Sequence, residues 1–175
     1  MSSCTNGIEI VLNPPKELIK KTILYFNRNI RKNAFPLITT NVEFKTTDAD
    51  IWYEMQKIGR HIRAVAVNRK GDVIGAGYLN RGVGRKSHTA RIAVTVDLDY
   101  RGRGIGTLLF KTLINEAKKV GIIRIEDEPV ETNIPAIHIL EKLGFKREGI
   151  AVKKARLDDG TFVNCIYMAL ILEDK

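Results

Sequence analysis

Residues 100–106 read Tyr-Arg-Gly-Arg-Gly-Ile-Gly, with Gly102, Gly104 and Gly106 alternating with Arg103 and Ile105 behind Arg101. Backbone without Cβ atoms lets a ligand come close, and the flanking arginines point to an anion. Farther on, residues 126–131 crowd four carboxylates together: Glu126, Asp127, Glu128 and Glu131. Like charges raise one another's pKa, which suits a group that must take a proton near neutral pH. His88, beside basic residues, is the reserve candidate for that role. Thr107 offers a hydroxyl to a phosphate, and Asn133, in Thr-Asn-Ile-Pro, has the sequence of a helix N-cap. No Cys/His cluster has metal-ligand spacing.

The elements that must position these residues follow from their periodicity. Residues 90–98, Ala-Arg-Ile-Ala-Val-Thr-Val-Asp-Leu, read as a strand. After the glycines, Ile105, Leu108, Leu109, Thr112, Leu113 and Ala117 recur at helical spacing, and Lys118, Lys119 and Gly121 are stop signals. The unit is strand, glycine turn, helix, so the free N–H groups and positive dipole end of the helix face the loop. Two phosphate loops fail on spacing. A P-loop needs Lys after its last glycine, where Thr107 stands; the dinucleotide fingerprint needs a third glycine at that same position. A tight turn without a ligand is the plain alternative.

The rest of the chain reads as a strand at 8–12, a helix opened by Pro14 and Pro15, a break at 35–40, a helix at 48–58, and a hairpin of strands 62–68 and 73–80 turning at Lys70-Gly71-Asp72. A basic glycine loop leads to the 90–98 strand and its helix. A strand at 122–128, a helix at 134–143 capped by Gly144, and a long hairpin joined by Asp-Asp-Gly complete it. This is α/β of the α+β type: one domain over 1–175, a mixed, mostly antiparallel sheet of about seven strands flanked by helices.

Arg101, Gly104 and Gly106 form R-x-x-G-x-G, and the stretch AVTVDLDYRGRGIGTLLF resembles the signature of the GNAT superfamily of acetyl-CoA-dependent N-acetyltransferases, with Leu98 where proline is common. A second block, ETNIPAIHILEKLGFKREG (131–149), is similar to the family's N-x-x-A-I-x-L-Y-E-K-L-G-F. The resemblance covers residues ~62–170 and is nearest in feel to ribosomal-protein-type Nα-acetyltransferases. It implies acceptor-side helices at about 14–58, a cofactor-binding core at about 62–145 and a C-terminal hairpin at about 147–172. It implies that the strands at 90–98 and 122–128 splay to admit the pantetheine of acetyl-CoA, the acetyl donor. Backbone groups of Val96 and Leu98 would hold that arm, and the amides of Arg101, Gly102, Arg103, Gly104, Ile105 and Gly106 the pyrophosphate. The Arg101 side chain would touch phosphate or only pack. Asn133 would bond the arm, cap its helix, or both.

The resemblance also shows departures. A Glu is frequent five residues before the valine, where this chain has Arg91; a Tyr acid is frequent seven residues after the Asn, where it has Leu140. Ribosomal-protein-type members place the base five residues before the Asn, which is Glu128 here. Glu128 is therefore the expected base, and a thiol of pKa ~8.5 can leave without a dedicated acid.

Composition fits a folded domain: 44% hydrophobic and 28% charged residues, with no 18-residue apolar run and no signal-peptide start. Two cysteines far apart imply a reducing, cytoplasmic setting rather than a disulfide. The net charge is +9: residues 1–120 hold 21 Lys/Arg against 10 Asp/Glu, residues 121–175 hold 8 against 10. An anionic partner follows, coenzyme A or nucleic acid. The leading expectation is transfer of acetyl to a primary amine: a protein N-terminus, a protein lysine or a small cationic amine. The rival is a basic nucleic-acid-binding or regulatory module on a GNAT-like scaffold; its weakness is only 7% aromatic residues, none interleaved with a basic run.

Overall fold

The computed structural model describes residues 3–5 (backbone only), 7–32 and 42–172. Eight strands form one sheet in the order β1-β2-β3-β4-β5-β6-β8-β7. These are β1 (Ser3–Thr5), β2 (Ile8–Leu12), β3 (His61–Val67), β4 (Val73–Arg81), β5 (Thr89–Val96), β6 (Arg124–Asp127), β7 (Lys146–Arg156) and β8 (Phe162–Ile171). Four helices are α1 (Lys16–Arg31), α2 (Asp48–Lys57), α3 (Ile105–Lys119) and α4 (Ile134–Lys142). Only β5 and β6 run parallel; every other neighbouring pair is antiparallel. The eighth strand is the unforeseen three-residue β1, too short to leave a periodic signal. The break expected at 35–40 lies outside the described residues.

Strand alternation divides the side chains between two layers. Ile62, Ala64 and Ala66 of β3, Ala90 and Ile92 of β5, and Ile125 of β6 face Ile105, Leu109, Leu113 of α3 and Ile137, Leu140 of α4 in the main core. On the opposite face Val65, Val67, Val73 and Ala76 pack with Tyr25 of α1, and Ile19 and Ile23 meet Ala49 of α2. Leu140, at the position where a tyrosine acid is frequent, is wholly buried in the main core, as its side chain demands.

The strand expected at 90–98 stops at Val96. Asp97 turns the chain, its side chain accepting from the Asp99 N–H at 3.3 Å, and Leu98–Tyr100 form a 3-10 turn. Asp97 is 7% exposed, and Arg28 of α1 pairs with it at 2.8 Å. This pair ties α1 to the head of the glycine loop. The strand expected at 122–128 likewise contracts to Arg124–Asp127, because Ile122 belongs to the core beneath the loop after α3.

Candidate active site

The glycine loop owes its shape to two left-handed residues: Gly102 has φ 74° and Gly104 φ 78°. Side chains resist that region, so both positions need glycine for the turn itself. Gly104 also begins α3 with no side-chain cap, leaving the N–H groups of the first turn without an intrahelical acceptor. Gly106 differs, being inside the helix. A Cβ there would meet only Val96 Cγ2 at 3.6 Å and Ile139 Cδ1 at 3.9 Å, ordinary contacts. The fold does not require glycine at 106, whereas a phosphate lying against the backbone would. Uncapped donors, a helix dipole and open space beside Gly102 and Gly104 fit a pyrophosphate.

The side chains of the loop turn inward to support it. Arg101 Nε donates to Val96 O at 3.1 Å, and Arg103 donates to Asp99 O at 3.0 Å while lying 5.1 Å from the Tyr100 ring centroid. Arg101 thus braces the strand end expected to hold the pantetheine; a carbonyl has a second lone pair to offer. Ile105 anchors α3 in the core, leaving its backbone at the loop, and Thr107 lies half-buried in the first helical turn. Leu98 is on the turn rather than the strand and is 48% exposed.

β5 and β6 pair only from Thr89↔Arg124 to Arg91↔Glu126. Beyond that no ladder joins them among the described residues, and a gap opens between Ile92–Val96 and the end of β6. α4 starts at its far side. Asn133 caps that helix, its Oδ1 accepting from the Ala136 N–H at 3.3 Å, with Pro135 in the first turn. The capping reading is therefore present in the fold.

Glu128 follows β6 directly, at the throat of the gap. Its Oε2 lies 3.2 Å from Arg91 Nη2 and 3.8 Å from Lys154 Nζ. The surroundings correct the expectation of crowded like charges. Alternation turns Glu126 and Asp127 to opposite faces; Arg124 pairs with Glu126 at 2.6 Å, and Asn164 donates to Glu131 at 3.2 Å. At Asp127 burial is the largest cause of a raised pKa, and the like charge of Glu128 adds to it in a minor way. The Asp127 carboxyl is pushed up to about 7 by burial, against the Glu128 N–H it accepts and the Arg91 charge. Asp127 and Glu128 both border a cleft of about 220 Å³ with Arg124, Glu148 and Tyr167. Sequence reasoning passed over Asp127 individually; its signal was an acidic residue in register with core positions Ile125 and Met168.

His88 stands apart from this site. It is exposed, ahead of β5, and its carbonyl accepts from Ile123 N–H at 2.9 Å. Glu128 meets β5 at Arg91, three residues along, about 10 Å at strand rise. The end of β5, the start of α3 and α4 adjoin at Gly106, which neighbours Val96 and Ile139; Glu128 is tied to β5 at Arg91, and His88 lies ahead of that strand.

The acetyltransferase (GNAT) family profile matches residues 25–145. The chain is 31% identical over 125 residues, 69% of its length, to the L-amino acid N-acetyltransferase AaaT of Escherichia coli, covering 75% of that protein. Its fold is similar to that of yncA, an acetyltransferase of Salmonella typhimurium solved with acetyl-CoA: TM-score 0.84, 20% identity, 96% of this chain and 95% of that one. It is equally similar to the ribosomal-protein-S5-alanine acetyltransferase of Vibrio fischeri, with TM-score 0.84, 21% identity, and 99% and 98% coverage. With the motif residues gathered around the parted strands and the profile spanning most of the described core, the chain belongs to the acetyltransferase (GNAT) family.

Proposed function

We propose that the protein moves the acetyl group of acetyl-CoA to a primary amine by direct attack in a ternary complex. The observation that carries this reading is the parting of β5 and β6 after Arg91↔Glu126, between an uncapped helix start and Glu128. When bound, acetyl-CoA supplies the thioester carbon that the amine attacks. The first-turn amides of α3 and the glycine backbone hold its pyrophosphate, and the end of β5 with Asn133 lines its arm. Glu128 takes the proton that an ammonium must lose before its nitrogen has a lone pair. Arg91 and Lys154 fix the position of that carboxylate. Holding both reactants in one gap supplies most of the acceleration, so no tyrosine acid at 140 is required.

The relatives differ in acceptor: one is named for L-amino acids, another for ribosomal-protein-S5-alanine. Either presents a primary amine to Glu128. The polar groups late in α1 are engaged within the fold, which speaks against the nucleic-acid reading: Asn27 and Asn29 are buried, Arg28 pairs with Asp97, and Arg31 pairs with Glu43 at 2.6 Å.

The test is an acceptor panel with labelled acetyl-CoA: amino acids, polyamines, lysine peptides and peptides with free N-termini. Label on the amine of at least one class is expected. Salt-dependent DNA binding with no transfer to any class would favour the rival.

A further inference from the structure

A buried charged side chain meets no opposite charge among the described residues. Arg63, in the middle of β3, is 7% exposed on the sheet face covered by α1 and α2. Its guanidinium lies 4.4 Å from the Trp52 ring centroid and 5.9 Å from that of Tyr78. Nη2 is 3.0 Å from His61 Nδ1, and burial together with Arg63 lowers the His61 pKa, so the imidazole is neutral and accepts that bond. Arg63 Nε has no hydrogen-bond partner among the described residues. No carboxylate pairs with it among the described residues, and the stretch 33–41 contains no Asp or Glu that could. Burial lowers its own pKa only to about 10, so it remains charged at neutral pH. An unpaired buried cation is costly; cation–π contact with two rings offsets part of that.

The side chain borders a hollow of about 10 Å³ that Ile19, Thr22 and Phe26 of α1 also line. That is room for one water-sized atom, such as a carboxylate oxygen. Strand register places the hollow relative to the base. Arg63 is opposite Tyr78 and Tyr78 is opposite Ala93, three residues in one row on the α1–α2 face, about 10 Å between the outer Cα atoms. Glu128, past the end of the β5–β6 ladder, is held beside that row by Arg91 of β5 at 3.2 Å. An α-amino acid whose amine meets Glu128 and whose carboxylate meets a guanidinium needs about 9 Å between the two heads, counting two charged hydrogen bonds of about 2.8 Å. The row of about 10 Å from Arg63 to Ala93, beside which Glu128 is held, is of that order.

We propose that Arg63 binds the carboxylate of the acceptor, and that the acceptor is a free α-amino acid rather than a polypeptide N-terminus, whose matching carbonyl is an uncharged amide. This rests on the acetyl-transfer reading above and narrows it. Trp52 and Tyr78 flank the guanidinium, His61 fixes one of its nitrogens, and Nε is left to donate to the ligand.

The experiment compares initial rates at saturating acetyl-CoA for matched acceptors: an L-amino acid, its α-carboxamide, its decarboxylated amine and a short peptide beginning with that residue. The free amino acid is expected to lead in kcat/KM by about 10- to 100-fold, the usual value of a hydrogen bond to a charged group. Arg63→Gln should bring the ratio close to one through acceptor KM, with acetyl-CoA KM unchanged, and Arg63→Lys should restore part of it. Circular dichroism establishes that each variant is folded; should Arg63→Gln fail to fold, the wild-type ratios decide. Equal rates for amide, peptide and free acid overturn the proposal, as does discrimination that survives Arg63→Gln or is abolished by Arg91→Gln instead. Absence of transfer to every acceptor overturns the transfer reading and this proposal with it, whereas carboxylate-blind transfer overturns this proposal alone.

Discussion

Glu128 and Asp127 are neighbours with opposite assignments, and each can be tested separately. Glu128 faces two cations at the throat of the gap. Glu128→Gln keeps the shape and removes the proton acceptor, so kcat should fall by about 10²–10⁴ with acetyl-CoA binding intact; His88→Ala should leave kcat nearly unchanged. Rapid-quench rates of the two variants separate the roles, and a crippled His88→Ala beside an active Glu128→Gln would reverse them. Asp127 is a matter of stability. Its folded pKa of about 7 lies above its ordinary 3.8, so the native state holds this proton more tightly than the unfolded chain. Its contribution to stability is full below about pH 4 and is lost as pH rises through about 7. Asp127→Asn keeps an acceptor for the Glu128 N–H and removes the titration. Its Tm gain over wild type should be close to nil near pH 4 and reach the order of a few degrees by pH 8. A gain that is constant across this range would show that burial of Asp127 does not raise its pKa.

At the scale of elements, the strand–glycine turn–helix unit separates what the fold demands from what a ligand demands. Gly102 and Gly104 have positive φ, but Gly106 is helical with room for a methyl group. Gly106→Ala should therefore keep or slightly raise Tm, since glycine inside a helix costs roughly 0.5–1 kcal/mol relative to alanine. It should also weaken acetyl-CoA binding, read as a smaller ligand-induced shift in Tm. A full shift in Gly106→Ala would remove the phosphate from that place. Asn133→Ala should cost about 1 kcal/mol as a lost cap, measured by denaturant unfolding without ligand. The legible parts of the site were those whose signal is local: three glycines before a helical period, and Asn-x-Pro before another. The alternation in β3–β6 fixed which residues face the core, and hence the layers. Strand ends were less legible because Asp97 stops β5 through a turn of its own and a long-range pair with Arg28. The partnership of Arg91 with Glu128, 37 residues apart, was invisible because β5 and β6 are joined only through α3. Arg63 escaped notice for the opposite reason: a charged residue inside an apolar strand reads as an exposed alternate position, and the helices that bury it come from elsewhere in the chain.

Across the whole molecule, a net charge of +9 does not make an uninterrupted basic surface. Arg28, Arg31, Arg91 and Arg124 each face a carboxylate; Arg124 meets both Glu126 and Glu148. No helix among the described residues is long and apolar enough to cross a membrane. Among the described residues no ladder joins β5 to β6 beyond Arg91↔Glu126, and the proposed transfer runs through that parting. The central claim is thus one of coupled chemistry: thioester cleavage and amine acylation are the same event. The measurement that tests it most directly is the simultaneous count of free coenzyme A thiol and N-acetylated acceptor, by thiol titration and mass spectrometry on one quenched reaction. Equal amounts of the two, both reduced together in Glu128→Gln, are predicted. Thiol release without acylated amine, or neither product with any acceptor, would contradict the account.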